Sequence, residues 1–226
     1  MNKWKYRVNF SYNTICNSFS VFDWLRENSS LRTLAICKYI PFQEKNVRKL
    51  VASMLMAMDG VVENPQWTFQ FRSEESQKYK FDELFASDAL LLGRITYQEL
   101  AAGWPGVTGT GAYGERINSM PKYVPTTTLQ EAEWNATLIK DNVGEEVTRL
   151  KQESGQDILI FGSVELIHSL MQEDLIDEYR LMVFPIVVGN GKRLFHGESQ
   201  QKAFKLVQSQ TFGSGVVVLT YEPHRK

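Results

Sequence analysis

The sequence predicts an α/β fold with a largely parallel sheet, helices on both of its faces and an antiparallel hairpin at the end. Three observations carry that reading. From residue 49 onward, β-type segments alternate regularly with segments of helical spacing. Several of the β-type segments are short, continuous apolar runs, the pattern of strands covered on both faces. Two of these runs end in a glycine that opens directly on a helix, at Leu92-Gly93-Arg94 and Phe161-Gly162-Ser163.

The elements follow in order. KLVASMLM (49–56) is apolar enough for a buried strand. SEESQKYKFDELFA (73–86) has helical spacing, with Tyr79, Leu84 and Phe85 as its candidate core residues. DALLLG (88–93) is a short buried strand, and a helix begins at Thr96. KYVPTTTL (122–129) reads as a strand whose proline marks an edge or an irregularity. GEEVTRLKQES (144–154) is an exposed amphipathic helix, DILIFG (157–162) a buried strand and SVELIHSLMQEDL (163–175) a helix. EYRLMVFPIVVG (178–189) is a long strand, and 204–222 is a hairpin turning at Gly213-Ser214-Gly215.

The chain has 226 residues, 43% hydrophobic and 23% charged, with a formal net charge of -1. That composition supports a packed core and carries no basic tract for nucleic acid. No apolar run reaches membrane-spanning length. The two cysteines, Cys16 and Cys37, form no Cys-x-x-Cys pair, so neither a metal site nor a disulfide framework is expected. The cytoplasm is the expected compartment.

Residues 1–46 do not share the periodicity that follows, which places a boundary near Val47. They are expected to be a dispensable extension. The regular pattern begins abruptly at Val47-Arg48-Lys49-Leu50, so one origin expected for the preceding segment is an overextended reading frame with the natural start at Val47. A surface-capping or dimer-forming extension is the other.

Four constellations bear on chemistry. Met58-Asp59-Gly60 follows the first strand; it reads either as a plain turn or as a mobile loop at the carboxyl end of a central strand. Thr96 and Glu99 have capping-box spacing after Gly93-Arg94, a segment equally suited to a phosphate at a helix N-terminus. Gly162-Ser163-Val164-Glu165 repeats that arrangement, with Ser163 as N-cap. Pro185 to Phe195 is a glycine-rich loop that either leaves Lys192 and Arg193 solvated or brings them to an anionic substrate. Gly109-Thr-Gly-Ala-Tyr-Gly114 matches Gly-x-Gly-x-x-Gly, but no strand precedes it; it is read as a loop, and a Rossmann domain is not expected.

The segments VRKLVASMLMAMDGVVE, DALLLGRITYQEL, NSMPKYV, DILIFGS and LIDEYRLMVFPIVVGNGKRLF together resemble the dihydrofolate-reductase-like superfamily. Within it, the chain is most similar to stand-alone relatives of the reductase domain of the riboflavin-biosynthesis deaminase/reductase. The resemblance covers about residues 47–222. It implies a three-layer α/β/α fold and NADPH as hydride donor.

Residue by residue, the resemblance implies that Gly93, Arg94 and Thr96 bind cofactor phosphates and that Thr126 and Thr127 lie near the adenosine 2′-phosphate. It sets Gly162, Ser163, Val164, Glu165 and Leu166 at the pyrophosphate, and Trp67 against the cofactor. Asp59, Glu74 or Glu75 is left as the proton source, with no choice among them. Ser163 replaces the second glycine of the family's Gly-Gly pair, and Ile160 stands where riboflavin-pathway reductases often carry an acid.

The expected activity is NADPH-dependent hydride transfer to a C=N or C=O bond of a small heterocyclic substrate, with no nucleic-acid or membrane partner. Relatives often dimerise, so a homodimer is allowed for. The rivals are a dihydrofolate reductase and an NADPH-binding protein without turnover.

Overall fold

The computed structural model describes residues 47–196 and 201–224. The expectations for residues 1–46, including both cysteines, lie outside the described residues. The described chain forms one eight-stranded sheet: β1 (Leu50–Ala57), β2 (Ser87–Leu91), β3 (Lys122–Pro125), β4 (Ala136–Ile139), β5 (Asp157–Ile160), β6 (Glu178–Phe184), β7 (Phe204–Thr211) and β8 (Val217–Pro223). The spatial order is β4-β3-β2-β5-β1-β6-β8-β7. The first six are mutually parallel, and the β7–β8 hairpin adds antiparallel strands at the β6 side.

Five α-helices among the described residues complete the layers: α1 (Glu74–Phe85), α2 (Arg94–Gly103), α3 (Gly111–Ser119), α4 (Val143–Gln152) and α5 (Val164–Gln172). Side chains alternate across the parallel strands, so each strand feeds two cores. Leu50, Ala52, Ile158 and Ile160 pack with Val147 and Leu150 of α4 and with Leu166, Ile167 and Leu170 of α5. Val51, Leu90 and Leu159 pack on the opposite face with Leu84 of α1, Tyr97 of α2 and Ile117 of α3. The three-layer α/β/α arrangement is therefore present. A third cluster, with Met182, Phe184, Phe212, Val216 and Val218, fills the hairpin end.

Several local expectations change. Four of the six residues of the Gly109–Gly114 string are helical, because α3 starts at Gly111; no strand leads directly into it, so the exclusion of a Rossmann motif stands. The 122–129 strand stops at Pro125, and the four-residue edge strand β4 had no counterpart in the sequence reading. β6 ends at Phe184, where Pro185 removes the next ladder donor. A 3-10 helix spans Pro65–Phe71. Leu84 is fully buried, but Phe85 is exposed and stacks on Phe81 at 4.2 Å between ring centroids.

Candidate functional site

The strand order contains a switch point. β2 and β5 are adjacent and parallel, with Leu91 opposite Ile160. From β2 the chain leaves through α2 toward β3 on one side; from β5 it leaves through α5 toward β6 on the other. The two helices lie on opposite faces of the sheet. Connections that diverge in this way open a crevice at the carboxyl ends of the strands, the usual ligand position in open α/β sheets.

The two glycine junctions meet there. The Gly93 N–H donates to the Gly162 carbonyl at 2.9 Å. A Cβ on Gly93 would fall 2.8 Å from the Ser163 backbone nitrogen and against its hydroxyl. Gly162 sits at φ +130°, and a Cβ there would lie 3.0 Å from Thr96 Oγ1. The Gly162–Ser163 peptide is cis. Gly93, Thr96, Gly162 and Ser163 thus form one cluster beneath the N-termini of α2 and α5. First-turn N–H groups of a helix have no intrahelical partner and carry the positive end of its dipole, so two such termini side by side favour a multiply charged anion.

The caps are simpler than the spacing implied. Helix α2 starts at Arg94 with Gly93 as N-cap, so Thr96 lies within the first turn and no Thr96–Glu99 capping box forms. Ser163 occupies the N-cap of α5 without a side-chain capping bond. The true capping box is Ser73 with Ser76, at the start of α1.

The remaining predicted residues are distributed around this centre. Arg94 is half-buried and donates to Gln98 Oε1 at 2.8 Å. Val164 and Leu166 bury their side chains in the core, leaving only their backbone to a ligand, while Glu165 is exposed. Thr126 and Thr127 follow β3, the next strand along. Thr126 Oγ1 accepts from the N–H groups of Thr128 and Leu129 at 3.3 and 3.0 Å, closing a turn that leaves Thr127 exposed. Trp67 is not at the glycine junctions. It packs edge-on against Phe184 with ring centroids 5.5 Å apart, and its Nε1 donates to the Glu63 carbonyl at 3.2 Å.

The three candidate acids differ. Asp59 accepts from Gly189 N at 2.8 Å and Val188 N at 3.5 Å, and Arg193 Nε donates to its carbonyl at 3.0 Å. The Gly189 N–H, chief among these bonds, holds the Asp59 carboxyl below its ordinary range. Asp59 therefore clamps the loop after β1 to the loop after β6, and at neutral pH it is an acceptor. Arg193 is drawn into the same clamp through the Gly189 carbonyl at 3.2 Å. Glu75 Oε2 accepts from Gly213 N at 2.8 Å, tying the first turn of α1 to the hairpin tip. Glu74 is exposed beside it.

A polar cluster that the sequence reading did not single out lies under α1. Ser53 of β1 donates to Glu83 Oε2 at 2.8 Å, and Lys80 Nζ donates both to that oxygen and, at 2.9 Å, to Ser53 Oγ. The available signal was the i, i+3 spacing of Lys80 and Glu83 opposite a serine in an otherwise apolar strand.

The glycine junctions bring two helix starts together, an arrangement chemically suited to a phosphate group, and a Cβ at either glycine would press on Ser163 or Thr96. Comparisons with known proteins agree with this architecture. The family model described as the RibD C-terminal domain matches residues 48–218. The uncharacterized protein YyaP of Bacillus subtilis is 31% identical over 177 residues, covering 77% of this chain and 94% of that protein. A solved structure from Shewanella sp. PV-4, named for riboflavin biosynthesis, superposes with a TM-score of 0.64 at 22% identity, covering 78% of this chain and 99% of that one. Dihydrofolate reductase from Enterococcus faecalis, complexed with NADP(H), gives 0.53 at 13% identity over 78% of this chain and 97% of that one, a likeness of fold alone. With its sheet, glycine junctions and family match in register over the same residues, the chain belongs to the RibD C-terminal domain family.

Proposed function

We propose that this protein is an NADPH-dependent reductase acting on a C=N or C=O bond of a small heterocyclic substrate. The observation that carries the reading is the bond between Gly93 and Gly162, which joins two helix N-termini into one anion cradle at the switch point. When bound, a reduced nicotinamide would supply hydride to the carbon of the C=N or C=O bond and leave oxidised, and the oxygen or nitrogen would take a proton from water; the protein supplies position and charge. The backbone N–H groups at the starts of α2 and α5 hold the pyrophosphate. Arg94, with Thr126 and Thr127 after β3, takes the phosphate that distinguishes NADPH from NADH. The Asp59 clamp fixes the loop beyond β1 at the edge of the crevice. Membership of the RibD C-terminal domain family supports the reductase assignment.

Thermal unfolding with and without NADPH tests this reading. The wild type gains melting temperature with the cofactor, as a ligand that binds only the folded state requires. Gly162→Val, with a branched side chain at φ +130° against Thr96, abolishes that gain. A folded Gly162→Val variant with the full gain would show that the junction is structural only.

A further inference from the structure

The cluster under α1 has a place relative to the glycine junctions. Ala52 of β1 pairs with Ile160 of β5, so the next residues, Ser53 and Phe161, lie side by side on the face toward α1. Ser53 also pairs with Arg180 of β6. A row of Phe161, Ser53 and Arg180 therefore crosses three central strands, and Phe161 is one residue before Gly162. Above this row, Lys80 Nζ stands 4.6 Å from the centroid of the Phe161 ring while bonded to Ser53 and Glu83.

The charges here are not arranged as a closed ion pair. The Glu83 side chain is 2% exposed, and its Oε1 has no hydrogen-bond partner among the described residues; the Arg180 guanidinium approaches it at 3.6 Å. Lys80 keeps 22% of its side chain exposed. Of its three ammonium N–H groups, one goes to Ser53 and one to Glu83 among the described residues, which leaves one for an outside acceptor. Burying charge against a sheet is costly unless something repays it, and an apolar pair would pack here more cheaply. The cluster makes sense as a device that holds one half-open ammonium, positioned by a buried carboxylate and a serine, over the strand ends beside the cradle.

We infer that Lys80 is the residue that receives the substrate, its Nζ donating a hydrogen bond to the oxygen or nitrogen of the reducible C=O or C=N bond. This rests on the reductase reading above. In that reading Thr126 and Thr127 mark the adenosine side of the cradle, toward β3. The other half of the dinucleotide then runs the opposite way along the sheet edge, over β5 and β1, where Phe161 and Ser53 bring up Lys80. Glu83 and Ser53 act through Lys80 as positioning residues.

The test exploits one difference between the two forms of the cofactor: the nicotinamide ring of NADP+ carries a positive charge that NADPH lacks. Protein labelled with 13C at the lysine ε-carbons is titrated by NMR in the presence of each, with the Lys80 signal assigned by its loss in Lys80→Arg. A unit charge within several ångströms of a half-exposed ammonium moves its midpoint by about half a pH unit or more. The Lys80 midpoint is expected lower with NADP+ than with NADPH, while that of Lys49, at the far end of β1, stays unchanged. Lys80→Met is expected to bind NADPH within about twofold of wild type, as a substrate contact outside the cradle requires. If both cofactors bind and the Lys80 midpoints coincide, Lys80 does not face the reacting ring and the inference falls while the reductase reading survives. A folded Lys80→Met that loses NADPH affinity more than tenfold also overturns it, by making Lys80 a cofactor ligand. If neither cofactor binds the wild type, the reductase reading itself fails and takes the inference with it.

Discussion

The backbone N–H of Gly93 donates to the carbonyl of Gly162 across 2.9 Å, joining the ends of two strands whose helices depart on opposite faces of the sheet. A side chain at Gly93 has nowhere to go, since its Cβ would press on the Ser163 nitrogen at 2.8 Å. Gly93→Ala is expected to lower stability by about 1–3 kcal/mol, the usual scale of overpacking. It should also weaken NADPH more than tenfold by displacing the first turn of α5. Denaturant titration and calorimetry on the same preparation measure both.

Arg94 is the first residue of α2, directly after Gly93. Arg94→Ala should weaken NADPH by about 1.5–3 kcal/mol, the range of a charge-assisted hydrogen bond. NADH, lacking the extra phosphate, should change far less. Wild-type calorimetry comes first: equal affinities for the two cofactors would sink the assignment of the 2′-phosphate.

Asp59 links folding to acid. Its carboxyl is held below the ordinary value of 3.8, chiefly by the Gly189 N–H. A depressed acid contributes stability above its unfolded value and loses it as pH falls through the folded one. The advantage of wild type over Asp59→Asn, measured as urea midpoints, should therefore be constant near neutrality and shrink below pH 3.8. An advantage that persists to the lowest pH at which the protein folds would mean the clamp does not depend on charge.

Lys122 gives the opposite signature. It is fully buried, its Nζ donates to the carbonyls of Ile117 and Asn118 at 2.5 and 3.1 Å, and it faces the Trp134 ring at 4.0 Å. Burial pushes its ammonium from 10.5 down to about 8. Between those values the unfolded chain holds a proton that the folded chain has released, so stability rises with pH across that window and is level below it. Relative to Lys122→Met, the wild type should gain about 1–3 kcal/mol from one side of the window to the other. Urea unfolding of both proteins across that range reads the difference.

The parts legible in the sequence were local. A glycine that ends an apolar run and opens a helix is readable at 93 and at 162, and both junctions stand as expected. That they touch was not readable, because it depends on β5 inserting between β1 and β2. Cap positions failed where the helix start was misjudged by two residues: Gly93, without a side chain, caps α2, which leaves Thr96 inside. The Ser73–Ser76 box escaped notice because its second member is a serine rather than Glu or Gln. Lys80 and Glu83 were not singled out, since charged residues of a helix ordinarily face solvent, yet both bond to Ser53 of β1. Phe85, by contrast, looked like core and is exposed, stacked on Phe81.

The strand order also dictates when the crevice can exist during synthesis. β1 emerges first of the described strands, yet both of its sheet neighbours, β5 and β6, come roughly a hundred residues later. Until then the ribosome has delivered an apolar strand with two open edges and half of an anion cradle. Such non-local pairing closes long loops before it gains contacts, which slows folding and prolongs exposure to aggregation. A nascent chain that stops anywhere before β5 leaves both edges of β1 open and Gly93 without its Gly162 partner, so the meeting of the two junctions is a late event of folding.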